Sequence, residues 1–520
     1  MKDKLVLTID FGTQSLRTCL INTHGEIVKI VKRVYEPTYI STQKGYAEQD
    51  ADFYWERLIE ALKELTSISK DILEDIVGST ITTFRDSSVQ LDKDNKPIRK
   101  VILWLDQRMA KAKEKLPFFH RLAFKLVGMT NTIDLNRRRT VAHWLKENEK
   151  KTWSRTKKYV NISGYLTYKL TGNLVDSVSS VTGHYPINFK KRKWYKDGAL
   201  KGSIYGVPSR MLCELKQPGE LLGYISNEVC DLVGLPYGIK LIASGSDKAC
   251  ETIGLGALSP DIGAISYGTA STIEVSNTKY HEPEKFLPAY PAATPGYYNM
   301  EVQVYRGYWM LSWFSKEFAP ELIDEAKIQK MTVEEILNSS LMRINPGSDG
   351  LVLQPYWGPG LSRPLSKGAI VGFSGIHTRE HFYRAIIEGI AYALREGLGS
   401  ITRSQRRNIK EIRISGGGSQ SEAICQITSD IFGLPVSRVQ TYETTSLGAA
   451  ISVFTSLGIF RKIEDAIKSM VRLTTRFEPN ELCHQQYNYL YKKVYLKLFP
   501  RLKNVYKDIK IFDRKQDGRK

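Results

Sequence analysis

The stretch LVLTIDFGTQSLRTCLIN, residues 5–22, decides the fold. Residues 5–10 are apolar or β-branched up to Asp10 and read as a strand. Phe11-Gly12-Thr13-Gln14-Ser15 is a polar turn, and residues 16–22 are the returning strand. A second turn at Thr23-His24-Gly25-Glu26 leads to a third strand over 27–34. The first hairpin therefore sets an acid at a strand end and follows it with small and hydroxyl residues. The amides of such a turn form an anion-binding nest, and Asp10 stands where a metal–phosphate complex is held through water. An ordinary hairpin turn closed by an Asx hydrogen bond is the alternative.

Working outward, the same theme restarts in the second half. Residues 261–267 read as a strand, Gly268-Thr269-Ala270-Ser271 as a small polar turn and 272–275 as the return. Between and beyond the two hairpins, strands and helices alternate, which assigns an α/β class. The spacing predicts strands at 76–82, 89–92 and 101–104. A helix over 50–65 carries the apolar stripe Phe53, Leu58, Ile59, Leu62 and Leu65 behind an acidic start. A helix over 380–397 is followed by a strand at 412–414, a glycine loop and a helix over 422–432. At 520 residues the chain exceeds one ordinary core. Two similar domains, 1–255 and 256–520, facing each other across a cleft, account for the length and the echo.

Composition narrows the function. Hydrophobic content of 42% and charged content of 25% are those of a soluble globular protein, and the apolar runs are too short to span a membrane. Residues 1–9 lack the apolar core and cleavage site of a signal peptide, which predicts a cytoplasmic protein. Six scattered cysteines without a C-x-x-C pair read as reduced thiols. The net charge of +20 is spread along the chain without a nucleic-acid module, so no nucleic-acid partner is expected. The segment from Arg514 to Lys520 reads as a frayed, solvated tail.

Phosphoryl transfer needs backbone donors around phosphates, carboxylates for a metal ion, and a base for the attacking hydroxyl. The two hairpin turns are candidates for the first. Ser415-Gly416-Gly417-Gly418-Ser419-Gln420-Ser421 adds a strand–glycine loop–helix element that lets backbone approach a flat or anionic ligand, a flexible connector being the alternative. Ala243-Ser244-Gly245-Ser246-Asp247-Lys248 follows an apolar run and sets Asp247 at a strand end, where α/β clefts open. Asp247 also reads as a helix N-cap, with one carboxylate oxygen to spare.

Several of these segments, in order, resemble the FGGY carbohydrate kinases, which include glycerol kinase, xylulokinase, gluconokinase and autoinducer-2 kinase. IDFGTQSLR is similar to the family's phosphate hairpin, GYAEQDADFYW to its G-x-x-E-x-x-x-x-x-x-W segment, WLDQR to its W-x-D-x-R substrate-side motif, and GSDKACETIGLGAL to its catalytic-base loop. ISYGTAS resembles the second phosphate loop. SRPLSKGAIVGFSGIHTREHFYRAIIEGIAYALR resembles the long signature region, and SGGGSQSEAICQITSDIFGLPV with ETTSLGAAISV the adenosine-binding pair. The resemblance covers about residues 4–500. It implies two actin-like (ribonuclease H-like) ATPase domains and an enzyme that phosphorylates a hydroxyl of a small sugar or polyol. ATP is the implied cosubstrate and Mg²⁺ the implied cofactor. Asp247 would be the general base and, with Asp10, would position the metal. Thr13, Gln14, Ser15, Arg17, Gly268 and Thr269 would hold the phosphates. Gly416, Gly417, Gly418 and Ser421, with Glu443 and Ser446 nearby, would line the nucleotide pocket.

Substrate choice is carried by fewer residues. Arg85-Asp86 falls where glycerol kinase carries an Arg-Glu pair on polyol hydroxyls, and a buried structural ion pair is the alternative. Xylulokinases differ there, whereas autoinducer-2 kinase carries a similar Arg-Glu segment. Asp106 and Arg108 are expected in the same pocket. Trp104 and Trp357 read as core packing or as platforms for a sugar face. Ser163-Gly164-Tyr165-Leu166 departs from the Asp-containing helix start usual in the family. A motor-like ATPase of the same fold and a catalytically silent sugar- or nucleotide-binding regulator are the competing functions. A homodimer is the default for an enzyme of this size.

Overall fold

The computed structural model describes residues 3–517 apart from 285, 358, 359, 361, 362 and 364, with side chains described up to residue 512. In the first half, β1 (Leu5–Phe11), β2 (Ser15–Asn22) and β3 (Ile27–Val34) form an antiparallel meander, α1 (Ala51–Ser67) follows, and β4 (Ile76–Thr83) pairs parallel to β1. β5 (Leu221–Tyr224) and β6 (Lys240–Ile242) complete a sheet ordered β3-β2-β1-β4-β6-β5, and α2 (Asp247–Gly254) leaves it. Every residue of β1 is buried, as expected of a central strand covered on both faces, whereas β3 at the edge alternates partly buried and exposed positions about a buried Val31.

The second half repeats the plan. β7 (Ile262–Tyr267), β8 (Ser271–Asn277), the short β9 (Tyr290–Pro291) and β10 (Tyr298–Val304) precede the long helix α3 (Arg379–Gln405). β11 (Glu411–Ser415), α4 (Glu422–Phe432), β12 (Val436–Val439), α5 (Thr444–Ser456) and β13 (Leu473–Phe477) follow. The sheet order is β9-β10-β8-β7-β11-β12-β13. With β9 set aside, each strand has a counterpart in the first sheet. In both, an antiparallel meander is joined by two parallel strands and closed by one antiparallel strand. The short echo between the two hairpins thus extends to two whole sheets.

The halves are joined by packing as well as by chain. α5 lies against the first sheet: Leu447, Ala450, Ile451 and Phe454 share a core with Val6, Cys19 and Ile21, and with Ala249, Cys250 and Ile253 of α2. α2 and α5 approach so closely that neither Gly254 nor Gly448 has room for a Cβ against the other helix's backbone.

Several local expectations shift. The buried face of α1 is Ala51, Tyr54, Leu58, Ala61, Leu62 and Leu65, while Phe53 and Ile59 are half-buried. Tyr54 displaces them because its ring meets Phe11, Tyr35 and Phe84 in an aromatic cluster. Pairing at 101–104 stops at Val101–Ile102, because the Trp104 amide bonds the Ser87 hydroxyl instead of a strand partner. α3 runs past residue 397 to Gln405, buried in the second core. The final helix, Leu496–Asp517, continues through most of the segment read as a frayed tail, whose residues 518–520 lie outside the described residues. Ser362 and Pro364 of the signature region also lie outside them.

Candidate active site

The β1–β2 turn closes through the Gly12 amide, which donates to the Ser15 carbonyl at 3.0 Å. Thr13, Gln14 and Ser15 then line a cleft of about 710 Å³ between the two halves. Trp104 lines the same cleft, and its Nε1 donates to Thr13 Oγ1 at 3.0 Å and fixes that hydroxyl. Strand register sets Asp10 opposite Arg17, whose guanidinium lies 3.9 Å from the Asp10 carboxylate and 2.7 Å from Glu443. Asp10 is buried, and its Oδ1 has no hydrogen-bond partner. Burial pushes its pKa up to about 7 against the pull of Arg17, with the Asp247 charge adding to the rise.

The β7–β8 turn faces it. Its backbone is held from behind, since the Tyr308 and Trp309 amides donate to the Gly268 and Thr269 carbonyls at 3.1 and 3.3 Å. Lys248 stands beside Gly268, with Nζ donating to Ser266 Oγ at 2.5 Å and to Glu251 at 2.7 Å. Glu251 also accepts from Ser415 Oγ at 2.5 Å, which ties α2 to β7 and β11.

Asp247 lies at the first position of α2, inside the helix, and Ser246 is the residue that caps it by accepting from the Ala249 amide. One Asp247 oxygen accepts from the Lys248 amide at 2.8 Å. Burial raises its pKa, partly offset by the cations Lys248 and Arg85. Both Asp10 and Asp247 line the cleft.

The glycine loop reaches the cleft at one point. Gly416 lines it with φ +81°, and a Cβ there would lie 2.6 Å from the Tyr267 carbonyl oxygen, so only glycine permits this approach to the second turn. Gly417 faces open space, while Gly418 lies under the Tyr308 ring. Ser421 caps α4 through the Ile424 amide. Ser446 is buried and accepts from Cys19 Sγ, and Glu443 is engaged by Arg17. Of Gly416, Gly417, Gly418, Ser421, Glu443 and Ser446, Gly416 is the one that lines the cleft.

At the other end, Arg85 and Asp86 do not pair with each other. Arg85 makes a bidentate pair with Glu301 of β10, across the cleft, at 2.6 and 2.9 Å. Asp86, at φ +56°, accepts from the His184 amide at 2.8 Å and bonds His184 Nδ1 at 2.6 Å. Asp106 and Arg108 reach the cleft wall but spend their polar atoms on each other, on the Ala47 amide and on Glu48, with Arg108 sandwiched between Tyr46 and Trp144. Trp357 lines the cleft with its edge against Trp313. Ser163, at the helix start that departs from the family pattern, donates to buried Asp176 at 2.6 Å.

Sequence reasoning missed Glu301, His184, Lys248 and Glu251. Lys248 and Glu251 carried a local signal, being a pair three apart on a helix. Glu301 and His184 carried none, since their partners are 216 and 98 residues away.

Two facing phosphate-sized turns with two carboxylates between them are the geometry of a phosphotransfer cleft. Residues 5–254 match the N-terminal domain, and residues 263–457 the C-terminal domain, of the FGGY family of carbohydrate kinases. The chain belongs to that family. Xylulose kinase of Lactococcus lactis is 29% identical over 501 residues, covering 94% of this chain and 96% of that one. Gluconokinase of Bacillus subtilis is 27% identical over 523 residues, covering 98% of each. The crystal structure of gluconate kinase from Lactobacillus acidophilus superposes with a TM-score of 0.81 at 21% identity, covering 98% of this chain and all of that one. As an FGGY kinase, the chain is a two-domain enzyme of actin-like fold that uses ATP to phosphorylate a hydroxyl of a small sugar or polyol. Among the described residues, no helix is long and apolar enough to cross a membrane.

Proposed function

We propose that this kinase transfers the γ-phosphoryl group of Mg-ATP to a hydroxyl of a small ketose, polyol or related linear substrate, with Asp247 as general base. The observation that carries the reading is the place of Asp247: half-buried at the start of α2, beside Asp10, on the wall shared by both phosphate turns and the sugar end. The raised pKa makes it a better proton acceptor than an exposed aspartate. As the substrate oxygen bonds to the γ-phosphorus, the bond from phosphorus to the bridging oxygen of ADP breaks. The hydroxyl proton passes to the Asp247 carboxylate. Thr13, Gln14, Ser15, Arg17, Gly268 and Thr269 hold the phosphates, and Lys248 adds a cation beside the second turn.

Among the described residues, no three His, Cys, Asp or Glu side chains converge on one point, so no all-protein metal cage is present there. The unpartnered oxygen of Asp10 suits Mg²⁺, which binds through one or two carboxylates, phosphates and water. When bound, the ion neutralises charge on the phosphate oxygens. Gly416, Gly417, Gly418 and Ser421 shape the adenosine side, with Glu443 and Ser446 behind it. Arg85, Asp86, Asp106 and Arg108 shape the sugar side, the last two as a brace for its wall. The reading divides the domains between residues 255 and 256, a point supported by the gap separating the two family matches. It places the enzyme in the cytoplasm as a homodimer.

The test is ADP release with Mg-ATP across a panel of ketoses, polyols and aldonates, repeated with Asp247→Asn. The expected outcome is turnover on one class of linear substrate, and a loss of at least about a hundredfold in kcat with ATP binding retained in the variant. Near wild-type kcat in Asp247→Asn would reassign the base.

A further inference from the structure

One ion pair at the sugar end joins the two halves of the chain. Arg85 follows β4 in the first half, and Glu301 sits in the middle of β10 in the second. Their side chains are 16% and 5% exposed, and both line the cleft. The pair is supported from both sides. Tyr290 lies 5.7 Å from the Arg85 guanidinium carbon, and strand register sets Glu274 directly opposite Glu301. Glu274, which accepts from Thr252 Oγ1 and Asn299 Nδ2 at 3.1 Å, is pushed well above the usual carboxylate range by burial and by Glu301. The acceptor that meets Arg85 is Glu301, which binds the guanidinium with both oxygens.

Asp86, adjacent to Arg85 in sequence, pairs with His184 and not with Arg85. Glu301 has capacity left. A carboxylate offers about four lone-pair sites and a guanidinium five N–H donors, and the bidentate contact uses two of each. What remains is a donor set and an acceptor set side by side on the cleft wall. That arrangement matches two adjacent hydroxyls, each able to donate to Glu301 and accept from Arg85.

We infer that Glu301, supplied by the second domain, is a sugar-binding residue that works with Arg85 on neighbouring hydroxyls of the substrate. The inference rests on the sugar-kinase reading above. It gives the sugar a contact on each domain, so that binding draws the cleft shut around it and aligns the attacking hydroxyl with the phosphate turns of both halves.

The experiment is steady-state kinetics of the full chain and of Glu301→Gln, with D-xylulose, D-gluconate and glycerol as probes. If the wild type turns over none of a full sugar and polyol panel, the kinase reading itself fails before any variant is made. Given a substrate, Glu301→Gln is expected to raise its KM at least about tenfold, the loss of a charged hydrogen bond. KM for Mg-ATP is expected to stay within about twofold and the melting temperature close to wild type. Adding Arg85→Gln is expected to cost little more than the worse single variant, since the two act as a unit. An unmoved sugar KM overturns the inference. So does a rise in both KM values with a drop in melting temperature, which would make Glu301 a structural brace. Should Glu301→Gln not fold, Glu301→Asp keeps the charge and withdraws it from the pair; an unchanged sugar KM there overturns the inference equally.

Discussion

Gly448 of α5 packs against the Cys250 carbonyl of α2 with no space for a side chain between them. Gly254 stands in the same relation to the Thr444 carbonyl, so the two helices touch backbone to backbone at two points. This contact joins α5 of the second half to the helix that begins with Asp247. Gly448→Ala is expected to destabilise the enzyme by about 1–3 kcal/mol, the cost of overpacking a tight core. It should also lower kcat, because α2 must shift and Asp247 shifts with it. A thermal melt with saturating kinetics checks both, and a variant that melts and turns over like the wild type would mean the helices have room.

The unpartnered Asp10 oxygen leads to a metal prediction. Asp10→Asn keeps the shape of the site and removes the charge. The Mg²⁺ concentration for half-maximal rate should rise about tenfold or more, with the sugar KM unaffected. Titration of activity with Mg²⁺ at fixed ATP reads this directly; an unchanged requirement would place the ion elsewhere.

Two buried carboxylates set a pH trend for stability. Asp10 and Asp176 are each raised from 3.8 to about 7, chiefly by burial, against the opposing pull of Arg17 on one and of Ser163 and backbone amides on the other. Between those values the folded chain holds protons that the unfolded chain has released. The stability they contribute is therefore complete below the unfolded value and is lost as pH rises through about 7. The ligand-free enzyme is expected to melt a few degrees lower at pH 8 than at pH 6, with a flatter trend in Asp176→Asn. Scanning calorimetry across that range decides it, and a melting temperature rising with pH would contradict the assignment.

Trp104 acts on the β1–β2 turn through one hydrogen bond to Thr13. Trp104→Phe keeps the ring and deletes the donor. A neutral hydrogen bond of this kind contributes about 0.5–1.5 kcal/mol, so KM for ATP should rise about two- to tenfold while sugar KM moves less. A larger effect on the sugar would favour the stacking role that the sequence suggested.

The legible part of the site is the part carried by contiguous residues. Asp10 with Thr13-Gln14-Ser15, Gly268-Thr269 and Asp247 could be picked out because a strand end, a tight turn and a small-residue loop are written in neighbouring positions. All of them line one cleft. The capping of α2 was misread by one residue, since Ser246 and Asp247 have equal standing as caps until the backbone chooses between them. The stripe of α1 was rotated for a related reason. Periodicity gives a face, but Tyr54 outweighs Phe53 through the rings of Phe11 and Phe84 that meet it.

By itself the sequence determined that this chain is two α/β halves, each opening with a hairpin whose turn suits a phosphate, because local pattern dictates local structure. Tertiary structure alone decided which charges meet. Arg85 finds Glu301 rather than Asp86, Asp86 finds His184, Glu274 stands opposite Glu301, and α5 of the second half lies on the first sheet. These partners are far apart along the chain, so no local period records them. They are brought together when two sheets of the same plan pack against shared helices and bury polar groups that must then find one another.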